Sequence, residues 1–519
     1  MQPACIRHTD LPGTSQLFAD FSYHFDRVAS FYQHDPHDPQ SFEHAAAQIQ
    51  YPDDRRAAMV QTLRAQNGDS ESLRRLAQPG TVAVVTGQQV GLFSGPAYTI
   101  YKAMAAAQVA RQLTDRGVPA VAVFWLATED HDFAEVNHAW MFGAADEPAA
   151  IRIDAPKEFA GRPKPVGGIP IATPPLHELR AALAGLPFTD EVMAIVDKAY
   201  IPGATMGSGF RALLQTLLAK LDLIYLDPLD PAVRKIGAPF MAEALAAAPE
   251  LKVQLLARNQ ELNGAGYHAQ VHVDAKTSLF FLLEKGERAT LRRKDSEYAA
   301  LAARAEQVSP NALLRPVWQD YLLPTVAYVG GPGELAYLAQ SEVAYRLLLG
   351  RMPVVMARSG FTILDVRSQK LLERYHMAIT QVMTYEGGLK ERVAQALVPQ
   401  SVGKSLEAAA AEVTRQIDRL QSDLQGFDQT LAAAVAKSRA KILYQLDKIG
   451  KKTAREILRR DERALADARH LAAMLYPHRH PQERFYSILP FLAQHGVDLI
   501  DRLSDAVEPM CPDHRVFTI

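Results

Sequence analysis

Short apolar, β-branched runs punctuate a mostly helical pattern: TVAVVTG at 81–87, PAVAVFWLAT at 119–128, LDLIYLDP at 221–228 and MPVVMARSGFTIL at 352–364. Continuous apolar runs of this length, bounded by Gly, Pro or Asp, mark strands buried on both faces. Between the first two, AYTIYKAMAAAQVARQLTDR predicts a helix from Ala97 to Arg116, with Pro96 at its entry and Gly117 at its stop. Strand, helix, strand is a βαβ unit, hence a parallel pair with a right-handed crossover. Residues 20–78 read as helices joined by loops rich in Asp, His and Pro. Helices between buried strands predict a doubly wound α/β domain with a parallel sheet. The segments 149–171 and 271–293 show β-like alternation with turn signals, and predict strand-rich insertions over about 145–205 and 260–300.

The pattern changes after residue 365. Apolar positions Val413, Ile417, Leu420, Leu424, Phe427 and Leu431 step by four and three, the 3.5-residue period of a coiled coil. A second long helix, rich in Lys and Arg, is predicted from about Ser438 to Met474. The pair reads as an antiparallel helical arm whose seam closes either within the chain or against a second subunit. Prolines in YPHRHPQERFYSILPFLAQHG, 476–496, break the arm and return the chain to the body. The expected division is a core over 1–365, an arm over 366–475 and a returning segment over 476–519.

Composition narrows the function classes. A net charge of -2 on 519 residues argues against a dedicated nucleic-acid binder. The basic stretch 437–460 reads as a solvated helix face. Apolar stretches are too short or too broken to span a membrane, and no basic region followed by an apolar run opens the chain, so a cytoplasmic protein is expected. Cys5 and Cys511 are the only cysteines, too few for a four-thiolate zinc site or a disulfide framework.

Candidate chemistry gathers at the strand-to-helix junctions, because open α/β sheets bind ligands beyond the carboxyl ends of their strands. The first junction, TGQQVGLFSGP, offers Thr86, Gly87, Gln88, Gln89, Gly91, Ser94 and Gly95 before a helix N-terminus, a setting for a polar or anionic group. Neither the Walker phosphate loop nor G-x-G-x-x-G is present, and the glycines also suit a plain turn. The second junction places Glu129, Asp130, His131 and Asp132 directly after a buried strand. Such a cluster is costly to bury unless paired, metal-bound or solvated. It reads as a general base or ammonium-binding group, as a divalent-metal site built from Asp130, His131 and Asp132, or as a helix cap at Asp132. His131, Glu135 and His138 also fall at helical spacing. Farther on, Asn311, Arg315 and Gln319 are four residues apart, and Gly330, Gly331 and Glu334 form a glycine-rich entry to another helix. Arg315 suits a carboxylate or phosphate, or else an internal ion pair.

The stretches TGQQVGLFSGPAYTIYKA, FWLATEDHDFAEVNH, SPNALLRPVWQDYLLPTVAYVGGPGELAYLAQ and PQERF together resemble the cysteine-adding enzyme family of bacillithiol biosynthesis. FRALLQTLLAKLDLIYLDPLD and GYHAQVHV fit the same family, so the likeness runs in order along nearly the whole chain. His480 departs from it, standing where a small or flexible residue is expected before PQER. The resemblance implies a Rossmann-like core with connecting insertions and a coiled-coil domain used for homodimerisation. It implies a ligase that adds L-cysteine to the amine of glucosaminyl malate. That reaction needs carboxylate activation, so ATP is expected, with Mg²⁺ as a candidate ion. Zinc is not expected, since it would have to draw on His, Asp or Glu ligands. His131 is the natural proton acceptor near neutral pH, with Asp130 and Asp132 as alternatives. Two other classes stay open: a metal-dependent hydrolase using the EDHD cluster, and a non-catalytic nucleotide-binding scaffold assembled through the coiled coil.

Overall fold

The computed structural model describes residues 4–143, 146–159, 162–274, 276–291, 298–384 and 388–519. The chain forms two compact units. The first comprises Met1–Ala144, Pro148–Thr362 and Glu483–Phe517; the second comprises Ala145–Glu147, Ile363–Gln482 and Thr518–Ile519.

The first unit is built on a five-stranded sheet: β1 (Val82–Gln88), β2 (Ala120–Leu126), β3 (Ile224–Leu226), β4 (Thr325–Gly330) and β5 (Val354–Ala357). Their order is β5-β4-β1-β2-β3, and every pairing is parallel. Val, Ala and aromatic residues fill β1 and β2, which are buried on both faces because helices cover the sheet. Helix α1 (Tyr98–Asp115) crosses from β1 to β2 and packs on both through an alanine-rich face. Gly117, at φ 88°, supplies the left-handed stop after it. The strand β4 was not legible in the sequence: TVAYVG is short, and its tyrosine and terminal glycine read as the approach to a loop. Its six residues are all buried beside β1. The run 352–364 resolves into β5 and a separate strand, Phe361–Leu364.

The chain enters this sheet at its centre, winds outward through β2 and β3, then crosses to β4 and β5 on the other side. The winding therefore reverses between β1 and β4, where a doubly wound sheet opens a crevice at its carboxyl edge. A β-carbon at Gly87 would lie 2.9 Å from the Trp125 carbonyl oxygen, so glycine lets the ends of β1 and β2 close up at that edge. Below the crevice, Trp125 packs edge-on against Trp318 at 5.5 Å, within a core shared with the helices Gln16–Tyr23 and Asp53–Asn67.

In the first insertion, Ala149–Arg152 pairs antiparallel with His138–Met141, and helices Leu176–Ala182 and Thr189–Ala199 follow. In the second, Phe280–Glu284 pairs with Glu287–Thr290 and with Val308–Pro310. Residues 160–161, 275 and 292–297 of the expected insertions lie outside the described residues.

The second unit carries α3 (Gln400–Gln425) and α4 (Gln429–Arg460), which pack against each other. Asp418 pairs with Arg439 at 2.5 Å, and Gly450 faces Leu406, so the helices run antiparallel and the seam closes within the chain. The expected second helix, Ser438–Met474, is interrupted at Asp461, whose side chain caps a new helix, Glu462–Leu475. The heptad run also crosses a break. Phe427 sits in the turn between α3 and α4 at 81% exposure, and Asp428 caps α4. Among the described residues, no helix is long and apolar enough to cross a membrane.

Candidate active site

A cavity of about 710 Å³ opens at the carboxyl edge of β1, β2 and β4, wholly within the first unit. Its walls come from the three junctions: Gly87 to Gln89 at the end of β1, Glu129 and Asp130 after β2, and Gly331 to Glu334 after β4. Asn311 and Arg315 close one side.

The first two junctions touch. The Gln89 side-chain amide donates to Asp130 Oδ2 and to Glu135 Oε2, each at 2.7 Å. Gln88 donates to the Tyr98 hydroxyl at 3.0 Å. The rest of the glycine-rich loop does other work. Gly91 and Gly95 approach so closely that a β-carbon on Gly91 would lie 2.9 Å from the Gly95 Cα. Ser94 is buried at a positive φ of 74°, and its hydroxyl bonds the Gly95 carbonyl. These three residues, and Thr86, whose hydroxyl donates to the Val329 carbonyl, are not among those lining the cavity. At the start of α1 the Ala97 N–H is taken by the Tyr486 carbonyl at 2.7 Å, and the Thr99 and Ile100 amides by the Pro96 and Ala97 carbonyls.

The acidic cluster splits by environment. Glu129 lines the cavity from a buried position, ion-paired with Arg234, and burial pushes its carboxyl above the ordinary range. Asp130 also lines it, and its other oxygen accepts the His131 N–H at 2.6 Å. His131 is not a lining residue. Its Nδ1 accepts from Arg288 at 3.1 Å, and burial together with the Arg288 charge pulls its pKa down. Asp132 caps the short helix Phe133–Val136 by accepting from the Glu135 N–H at 3.3 Å. That helix ends before His138, which starts a strand, so His131, Glu135 and His138 do not share a helical face.

The third junction is tied to the first by a lysine. Lys102 lies buried on α1, donates to the Gly87 carbonyl at 2.8 Å and Gln88 Oε1 at 3.0 Å, and pairs with Glu334. Glu334 also accepts from the Gly331 N–H at 2.8 Å and the Tyr328 hydroxyl at 2.7 Å. Burial opposes ionisation of Glu334, but Lys102 and these hydrogen bonds outweigh it and hold the carboxyl below its usual range.

Arg315 opens the helix Arg315–Leu322, donating to Gln319 Oε1 at 3.1 Å and the Tyr337 hydroxyl at 2.8 Å. Asn311 precedes that helix, and its side chain accepts the Leu313 and Leu314 amides. Gln319 is buried and does not line the cavity; Gly330 is likewise outside the lining set. Among the described residues, no carboxylate oxygen lies within ion-pair distance of Arg315. Its charge faces the cavity with polar neutral partners.

Sequence reasoning missed several lining groups: Lys102, Arg288, Arg358 and Arg484 among the cations, and Tyr98. Two left signals. Lys102 is the one lysine on the apolar face of α1, which demands a partner. Arg358 directly follows a buried strand, the same cue that singled out Glu129. Arg358 is held by Glu483, at 2.9 Å from one oxygen and 2.5 Å from the other. Arg484 is exposed at the cavity wall.

Comparison with known proteins agrees with this architecture. Residues 1–359 match the family model described as the N-terminal Rossmann-like domain of bacillithiol biosynthesis BshC, and residues 361–519 match the C-terminal coiled-coil domain of the same family. A Solibacter usitatus protein named "Putative cysteine ligase BshC" is 52% identical over the full length of both chains. Relatives with that name in Koribacter versatilis, 34% identical over 100% of both chains, and Symbiobacterium thermophilum, 33% identical over 93% of both, are similar too. The chain belongs to the bacillithiol biosynthesis BshC family.

Proposed function

We propose that this chain joins the carboxyl group of L-cysteine to the amine of glucosaminyl malate, forming bacillithiol in the cytosol, with ATP activating the carboxylate. The observation that carries the reading is the Gln89–Asp130 contact. It brings a neutral amide-bearing junction and an acidic one together on the wall of a cavity that also presents Arg315, Arg358, Arg484 and Lys102. Amide formation asks for these parts: cations for carboxylates and phosphates, and a carboxylate to take the proton of the attacking ammonium.

Asp130 is the proton acceptor in this reading, because it lines the cavity while the Nδ1 of His131 is occupied by Arg288. Arg315 and Arg484 orient the malyl carboxylates, and Gln88 and Gln89 bond the sugar hydroxyl groups. ATP supplies the leaving group for acyl transfer; the cations and the Gly331–Gly333 backbone suit its phosphates. Mg²⁺, where required, is met by at most Asp130 and Glu135 here, which accords with an ion that keeps waters and binds phosphate oxygens. The hydrolase reading loses support: among the described residues the EDHD segment does not gather three ligands around one point.

The coiled-coil arm forms a homodimer in this reading. Within one chain the arm leaves Leu420 50%, Ile449 51% and Ile442 42% exposed, an apolar stripe that a second copy would cover.

The test is incubation of the purified protein with cysteine, glucosaminyl malate, ATP and Mg²⁺, with bacillithiol detected by mass spectrometry. Product dependent on every component supports the reading. Nucleotide hydrolysis without product, or no turnover at all, contradicts it.

A further inference from the structure

The two cysteines lie at opposite ends of the sequence, yet the fold places them together. Cys5 is on the strand Ala4–Ile6, which pairs antiparallel with His514–Thr518 in the register Cys5–Arg515. Cys511 lies in the turn just before that second strand, its N–H bonded to the Glu508 carbonyl. Asp513 follows two residues later. The two Sγ atoms and a carboxylate oxygen of Asp513 all lie within 4.8 Å of one another, and no disulfide joins the cysteines. Among the described residues this is the one such grouping of three His, Cys, Asp or Glu side chains.

The carboxylate is also aimed. The Tyr23 hydroxyl donates to Asp513 Oδ1 at 2.8 Å, while accepting the His8 N–H at 2.8 Å. That outer hydrogen bond leaves the second carboxylate oxygen available, an arrangement typical of a metal-ligating carboxylate. The neighbouring Arg515 lends the Cys5 thiol some positive charge, but its guanidinium hydrogen bonds go to the Ala506 carbonyl and to Glu508 at 2.9 Å. Without a metal the cysteines rest as thiols, and a bound divalent cation would draw them to the thiolate form by neutralising the charge gathered with Asp513. In tetrahedral zinc coordination two thiolate sulfurs stand roughly 3.8 Å apart, so the ligands need to close by about 1 Å at most.

We propose that Cys5, Cys511 and Asp513 bind one thiophilic divalent cation, zinc above all, with water in the fourth position. Sulfur ligands select zinc over magnesium or calcium, and the carboxylate completes a set that borderline-soft zinc accepts. None of the three lines the candidate active-site cavity, so the ion fastens the N-terminal strand to the C-terminal strand rather than taking part in amide formation.

The test uses the full-length protein, reduced, loaded with zinc chloride, desalted and analysed for metal by mass spectrometry. About one zinc per chain should be retained by the wild type and lost from Cys5→Ser/Cys511→Ser and from Asp513→Ala. Cobalt loading gives a readout on the wild type alone: a thiolate-to-cobalt charge-transfer band. Zinc should also raise the thermal midpoint of the wild type, and a chelator should reverse the rise. Equal zinc in wild type and the double variant would overturn the proposal. So would retained cobalt without the thiolate band, or a cystine linking Cys5 to Cys511 that reforms under reducing conditions. None of these outcomes depends on whether the protein makes an amide.

Discussion

Among single residues, the account turns on which acidic group takes the proton. Asp130→Asn should lower turnover by about 10²–10⁴, the usual contribution of a general base. His131→Ala should cost less than about tenfold, because His131 stands off the cavity wall with its acceptor nitrogen already used. The reverse ranking in steady-state kinetics would transfer the role to His131. Arg315→Ala should raise KM for glucosaminyl malate while leaving the thermal midpoint nearly unchanged, since its partners are neutral. A different pair governs acid stability. Burial alone would raise the Glu483 pKa, but Arg358 and the Phe361 amide bring it down to about 2. An unfolded glutamate titrates near its ordinary value of about 4.3, so the pair's stabilisation is fully present above that pH and drains away as pH falls toward 2, on the order of 3 kcal/mol in all. Trp125, Trp140 and Trp318 all lie in the first unit, so tryptophan fluorescence follows its unfolding. Urea midpoints of the wild type should fall steeply between pH 4.5 and 2, and those of Glu483→Gln less steeply from a lower start. Parallel curves would refute the assignment.

For the elements, the glycine-rich loop after β1 divides its labour. Gln88 and Gln89 face the cavity; Gly91 to Gly95 make a tight turn. Gly91→Ala should destabilise the first unit by about 1–3 kcal/mol through overpacking against Gly95, with KM little changed in the protein that folds. A selective rise in KM without loss of stability would restore a binding role to that turn. The arm makes a separate prediction. Ile442→Asp/Ile449→Asp should convert a homodimer to a monomer in light scattering behind gel filtration, because both positions lie in the half-exposed stripe. A wild-type protein that is monomeric at every concentration would remove the dimer from the account.

The whole molecule shows where sequence was enough and where it was not. The β1–α1–β2 unit was readable because buried parallel strands are uninterrupted apolar runs and a helix of eighteen residues leaves an unmistakable period. The strand β4 was hidden because a six-residue run with a tyrosine and a terminal glycine looks like a loop, yet it sets the switch point. The junction residues Gln89, Glu129, Asp130 and Arg315 stood out by chemistry that a buried strand end does not tolerate unpaired. Which of them face a common space depends on the order of strands in the sheet, information no local pattern carries. Lys102 and Arg358 escaped for the same reason: each is a lone cation until β1, β4 and β5 bring their junctions together. The direct check on that convergence is a crystal structure with glucosaminyl malate bound. The account predicts density in the cavity between Gln89, Asp130 and Arg315, with the amine beside Asp130 and the malyl carboxylates on the arginines. Substrate bound elsewhere on the chain, with this cavity holding only water, would contradict it.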